Sequence, residues 1–154
     1  MYSISALYRN FPAMMALSAW VIAQAAKFVI TLILNRDELS PGILISSGGM
    51  PSSHTATVCA LTTAVVLEQG FGSTLFAICG VLSFIVMYDA TGVRRSAGEQ
   101  AQTLNQLITH LFGQKQIPID TTVKEILGHT PLQVLIGAIL GVCLPLIARF
   151  CIGL

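Results

Sequence analysis

FPAMMALSAWVIAQAAKFVITLIL, residues 11–34, is apolar from end to end apart from a few small polar residues, Gln24 and one charge, Lys27. It is longer than the roughly 20 residues a helix needs to cross a bilayer. The tripeptide Ala23-Gln24-Ala25 has the small-residue pattern of a leader-cleavage site, but the apolar run resumes after Lys27, so the stretch reads as a spanning helix. The rest of the chain agrees. Of its 154 residues 54% are hydrophobic and only 10% charged, against about 25% charged in a soluble domain. Mean hydropathy is +0.77.

Outward from this run, three more apolar stretches follow: Ser53 to Leu67, Phe71 to Tyr88 and Leu132 to Ile152. The second is short enough for a re-entrant segment, but the tight Glu68-Gln69-Gly70 turn joins it to the third as a helical hairpin. Residues 35–52 and 89–131 are polar connections. In the longer one, Leu104, Leu107, Ile108, Leu111 and Phe112 recur at helical spacing among Gln, Asn and Thr, the pattern of an amphipathic helix on the membrane or against the bundle. Gly113 and Pro118 would end it. The expected fold is a single all-α integral membrane domain over 1–154, with about four transmembrane helices and an amphipathic interfacial helix.

Charge constrains partners and orientation. A net charge of +1 gives no reason to expect a nucleic-acid partner. Arg36, Arg94, Arg95, Lys115 and Lys124 lie in the connections, and Arg9 and Arg149 at the opposite ends, which favours cytoplasmic connections. Cys59, Cys79, Cys143 and Cys151 sit in apolar runs without metal-ligand spacing and read as small hydrophobes; no metal site is expected.

Polar residues among apolar ones are where chemistry is to be sought. Lys27 requires a partner or a wet cavity, or else snorkels to the interface. In Ser46-Ser47-Gly48-Gly49-Met50-Pro51-Ser52-Ser53-His54, glycines permit close backbone approach, and Ser52 or Ser53 can cap the helix that follows. Free N–H groups at that helix start favour an anion, phosphate above all, with His54 on the first turn. An ordinary capped helix under a surface loop accounts for the same residues. Asp89, Arg94 and Arg95 mark another membrane exit, where arginines either clamp phosphate or anchor at headgroups, and Asp89 can orient them or a histidine. His129 opens the last spanning helix, and His110 sits within the amphipathic one.

Taken together these motifs resemble a known family. Pro51-Ser52-Ser53-His54 is similar to the second signature of the type 2 phosphatidic acid phosphatases, usually Pro-Ser-Gly-His. Gly128-His129-Thr130-Pro131-Leu132-Gln133 is similar to the end of the third signature, where an aspartate follows the histidine by four residues. With YDATGVRRSAGEQAQTLNQ (88–106) the set resembles a divergent branch of that superfamily, related also to vanadium-dependent haloperoxidases, over about Lys27 to Gly141.

The resemblance implies metal-independent hydrolysis of a lipid or isoprenoid phosphate monoester through a phosphohistidine, without a cofactor. It makes His129 the nucleophile and His54 the acid, with Lys27, Arg94 or Arg95 holding phosphate beside Ser52, Ser53 and Gly49. Gln133 stands where the orienting aspartate is expected, and Asp89, Glu99 and Glu125 are the candidates to substitute for it. Eight residues rather than six separate Lys27 from Arg36, and 33 separate Arg95 from His129. The other readings are a non-catalytic protein that binds or moves a phosphorylated lipid, and a structural partner in a membrane complex. The expected partners are a phosphorylated lipid and membrane lipids, with a homo-oligomer compatible with the sequence. The expected location is the plasma or inner membrane of a bacterium, or an organelle membrane of bacterial descent.

Overall fold

The computed structural model describes residues 8–34, 49–112, 123 and 128–152. Five helices appear among them: α1 Phe11–Leu34, α2 Ser53–Gln69, α3 Thr74–Thr91, α4 Val93–Phe112 and α5 Pro131–Ile147, the last running into a π-helical turn, Ala148–Ile152. There is no strand among the described residues, and the chain is an all-α integral membrane protein. Most of the 35–52 connection and of 113–127 lies outside the described residues, as do Arg36, Lys115 and Lys124.

The bundle is built around α2, which packs against α1, α3 and α5. Small residues make this possible. Ser52, Ala56, Ala60 and Ala64 follow one another at four-residue steps and are all fully buried. On α1 the facing stripe is Met15, Ala19, Ala23 and Lys27, also at four-residue steps and also buried. On α5 it is Gly137, Gly141 and Pro145. Between helices in lipid, where apolar contact with the solvent costs nothing, close backbone approach through small residues supplies the association. Here it is very close. A Cβ at Gly137 would lie 2.5 Å from the Ser52 carbonyl oxygen, and one at Gly141 2.4 Å from that of Ala56. Ala19, Ala23, Ala56 and Ala60 form the resulting core, with Leu140 and Leu144 against it. Ala23, in the tripeptide that mimics a cleavage site, is thus in mid-helix against α2.

Three spans are long and apolar enough to cross a membrane: 11–33, 74–111 (α3 continued by α4) and 131–151. α2, at 17 residues, extends only about 25 Å at 1.5 Å per residue. Its two ends are nonetheless tied to spanning helices. At its start the Ser52 N–H donates to the Gln133 carbonyl at 3.1 Å, and at its end a four-residue turn leads into α3. α2 is therefore held alongside its neighbours at both ends. Midway, the Ser83 and Thr62 hydroxyls lie 2.8 Å apart, and the Val58 carbonyl is placed to accept from either, at 3.1 and 2.9 Å, so the polar groups of the hairpin satisfy each other.

The boundaries move slightly from those expected. α2 runs on through Glu68 and Gln69 until Gly70 (φ +75°) closes it. α3 starts at Thr74 rather than Phe71, because Ser73 caps it by accepting from the Phe76 N–H at 3.1 Å. α5 begins on Pro131, at the first-turn position where the missing N–H costs nothing.

The amphipathic helix is α4, and Leu104, Leu107 and Leu111 are exposed along it. Only Gly92 separates it from α3. Arg94 and Arg95 lie at the end of the bundle where α2 and α5 start, and Arg9 and Arg149 at the other.

The glycine contacts set a test. Gly141→Ala forces α5 off the Ala56 carbonyl and should lower stability by about 1–3 kcal/mol. Gly80→Ala, where a Cβ meets nothing within 4 Å, should be neutral or gain up to about 1 kcal/mol. Thermal unfolding of the two variants in the same detergent compares them.

Candidate functional site

Lys27 ends the buried stripe of α1, so its helix face is turned to the bundle and not to lipid. It is 3% exposed and lies about 10 Å short of the end of α1, seven residues at 1.5 Å. Gly49 comes against its side chain with φ +89°, a conformation that L side chains rarely adopt, and a Cβ there would sit 3.0 Å from Lys27 Cε. A cis Met50–Pro51 bond follows, and Ser52 then caps α2. The Ser52 Oγ accepts from the Thr55 N–H at 3.4 Å and from the Thr55 hydroxyl at 3.0 Å. Ser53, the first helical residue, is buried, while His54 is exposed. The cap is therefore the first serine of the pair, and the histidine is on the open side of the helix start.

The second half of the site is the elbow between α3 and α4. The helix is interrupted at Gly92, and the Ala90 carbonyl accepts the backbone N–H of His129 at 3.1 Å. Beside it, Gly128 lies so close to α4 that a Cβ would be 2.3 Å from the Arg95 nitrogen and 2.5 Å from its Cα. The 33 residues separating the arginines from His129 in sequence are thus closed to contact in space. His129 is 4% exposed.

The two arginines part company. Arg94 Nε bonds Asp89 Oδ2 at 2.5 Å, and its charge acts on both His54 and His129. Arg95 pairs with Glu99 at 3.0 Å, one turn along α4, and its backbone is the surface on which Gly128 rests. Lys27 also acts on both histidines, and His54 on His129. Lys27, His54, Arg94 and His129, from four separate stretches, share one electrostatic environment around the start of α2. Burial first, then the charges of Lys27, His54 and Arg94, push the His129 imidazole down to about 4. At neutral pH it is uncharged, with its lone pair available.

Gln133 has its own task. Its Oε1 accepts from the Thr130 N–H at 3.0 Å while the Thr130 hydroxyl accepts from the Gln133 N–H at 3.4 Å, a reciprocal capping box. With the Ser52 N–H on its carbonyl, Gln133 pins the helix start one residue after His129 and joins it to α2. Asp89 is engaged by Arg94. The Thr130-x-x-Gln133 spacing carried the capping signal, and Gly137-x-x-x-Gly141 the packing signal; neither is needed to find the histidines, but both fix where they stand. His110 is on α4 beside Asn105, Gln106 and Thr109, away from this cluster. No group of three or more His, Cys, Asp or Glu able to hold a metal occurs among the described residues.

The structure is an all-α membrane bundle in which two histidines, a lysine and an arginine gather around a capped helix start. The chain belongs to the Divergent PAP2 family, which matches residues 8–144. It is 41% identical to the uncharacterized membrane protein YuiD of Bacillus subtilis (strain 168), over 94% of this chain and 97% of that protein. No solved structure matches it. Family and fold agree with an integral protein of a bacterial-type membrane.

Gly128 provides the check on this geometry. Gly128→Ala drives a methyl into the Arg95 backbone, so it should displace His129 from Ala90. The solvent accessibility of His129, read by residue-resolved diethyl pyrocarbonate labelling, should rise well above its wild-type value. Equal labelling in a folded variant would mean that the close approach does not hold the histidine.

Proposed function

We propose that the protein hydrolyses the phosphate monoester of a lipid or isoprenoid alcohol through a phosphohistidine on His129, without a metal ion. The observation that supports this best is the meeting of a buried, neutral His129 with Lys27, Arg94 and His54 at the start of α2. Family membership points the same way.

In this reading Lys27, Arg94 and the N–H groups at the start of α2 neutralise the phosphoryl oxygens. Asp89 orients Arg94, and Gly49 lets the lysine lie close. The His129 ring nitrogen attacks phosphorus, the P–O bond to the lipid breaks, and protonated His54 gives its proton to the leaving oxygen. Neutral His54 then takes a proton from water, the resulting hydroxide attacks phosphorus, and the P–N bond breaks. Inorganic phosphate leaves, and both histidines return to their starting states. Gln133 acts through the backbone, holding Thr130 and hence the residue before it. Among the described residues Asp89 is paired with Arg94 and Glu99 with Arg95, so neither is spent on the positive charge of the phosphohistidine, and turnover is slow.

The second reading, binding or movement of a phosphorylated lipid without hydrolysis, draws on the engagement of Gln133 in the cap and of Asp89 with Arg94. Phosphate release by purified protein over a panel of lipid phosphates in EDTA separates the two. Release that disappears in His129→Ala supports hydrolysis. Lipid-phosphate binding with no release from any substrate supports the second reading, and full activity in His129→Ala removes the nucleophile.

The pH profile carries a further expectation. With a folded value of about 4 against an ordinary 6.5, His129 remains an uncharged nucleophile well below neutrality. Release should not fall between pH 7 and 5 through loss of this group, and should fall as pH approaches 4. Stability starts to fall at a higher pH. Between 6.5 and 4 the unfolded chain binds the proton that the folded one refuses, so the fold loses stability as pH drops through that window. His129→Ala should flatten that part of a stability curve measured in detergent.

A further inference from the structure

Asn105 stands three turns along α4 from the elbow. Its side-chain amide bonds a single residue twice: Nδ2 donates to the Val123 carbonyl at 2.8 Å, and Oδ1 accepts from the Val123 N–H at 2.9 Å. Side-chain amide thus pairs with main-chain amide as one strand pairs with another, and both bonds must be lost for Val123 to leave. Val123 is five residues before Gly128, which rests on the Arg94–Arg95 backbone, and six before His129, whose N–H is on Ala90. α4 therefore grips the returning chain at two places, and both lie on the polypeptide that delivers His129.

We propose that Asn105 is a positioning residue for His129, a role that deepens the phosphohistidine reading and rests on it only for its catalytic consequence. Only four residues lie between Val123 and Gly128, so a hold on Val123 restricts how far the Gly128–His129 pair can move from its place against α4. The choice of Asn is decisive because only a carboxamide offers a donor and an acceptor at the spacing of a peptide group. Asp keeps the acceptor alone.

The test is residue-resolved diethyl pyrocarbonate labelling of the full chain in detergent, which reads the exposure of each neutral imidazole without any substrate. In Asn105→Ala the His129 rate should rise by about fivefold, the weight of one net hydrogen bond, with an intermediate rise in Asn105→Asp, while His54 and His110 keep their wild-type rates. Gln106→Ala, on the same helix, should leave all three unchanged. An unaltered His129 rate in folded Asn105→Ala overturns the proposal, as does a parallel rise at all three histidines, which would mark general loosening. Because labelling is independent of turnover, a positive result in a protein that releases no phosphate would sink the hydrolytic reading and leave the positioning role standing.

Discussion

The approach of α5 to α2 through Gly137 and Gly141 is the contact on which the other arrangements depend. Where backbones are separated by little more than the thickness of a peptide, the register between two helices is no longer adjustable. The Gly137–Ser52 contact and the Ser52–Gln133 hydrogen bond fix α5 against the start of α2. That places His129, one residue ahead of the Thr130 cap, beside the helix terminus that His54 occupies. The same small-residue logic on α1 seats Ala19 and Ala23 on α2 and carries Lys27 to the same level. Lys27, His54 and His129 are thus delivered to one end of the bundle by contacts between residues with almost no side chain.

Burial sets the chemistry of the cluster. A lysine, an arginine and two imidazoles close together repel one another when charged; burial and these charges lower both imidazoles, His129 the further. His129 is held neutral by this crowding, whereas the more exposed His54 is in contact with solvent through which protons can arrive. The asymmetry between the two histidines, one sheltered and one open, needs no carboxylate to create it. It follows from which side of the bundle each helix start faces.

Much of this was legible in the sequence. The spans at 11–34 and 131–152, the hairpin turn near Gly70 and the amphipathic helix around Leu104 follow from hydropathy and period alone. Lys27, His54 and His129 stand out because polar residues at membrane helix starts are few. The separate fates of Arg94 and Arg95 were not legible, because adjacent residues on a helix diverge by 100°, and which one faces the site depends on the elbow at Gly92. Nor was the task of Gln133: aligned with an aspartate four residues after the histidine, it reads as an orienting group, while its side-chain oxygen is spent on the Thr130 N–H. The signal of a capping box was there, but a motif comparison reads positions and not hydrogen bonds. The grip of Asn105 on Val123 joins residues 18 apart through one side chain, and no periodicity reports it.

The interruption at Gly92 has a consequence for how such a site changes over time. The acceptor it leaves for His129 is the main chain of residue 90, and the surface that receives Gly128 is the main chain of residues 94 and 95. Main-chain groups are the same whatever side chains are attached to them, so the docking of the histidine makes few demands on the sequence of the elbow. Nor does it set the number of residues between the elbow and the histidine. A chain segment can lengthen by insertion between its two anchored ends while the groups at those ends keep their places. A spacing between arginine and histidine that departs widely from that of related phosphatases is therefore compatible with an unchanged meeting point, and the distance along the chain is a poor guide to kinship here.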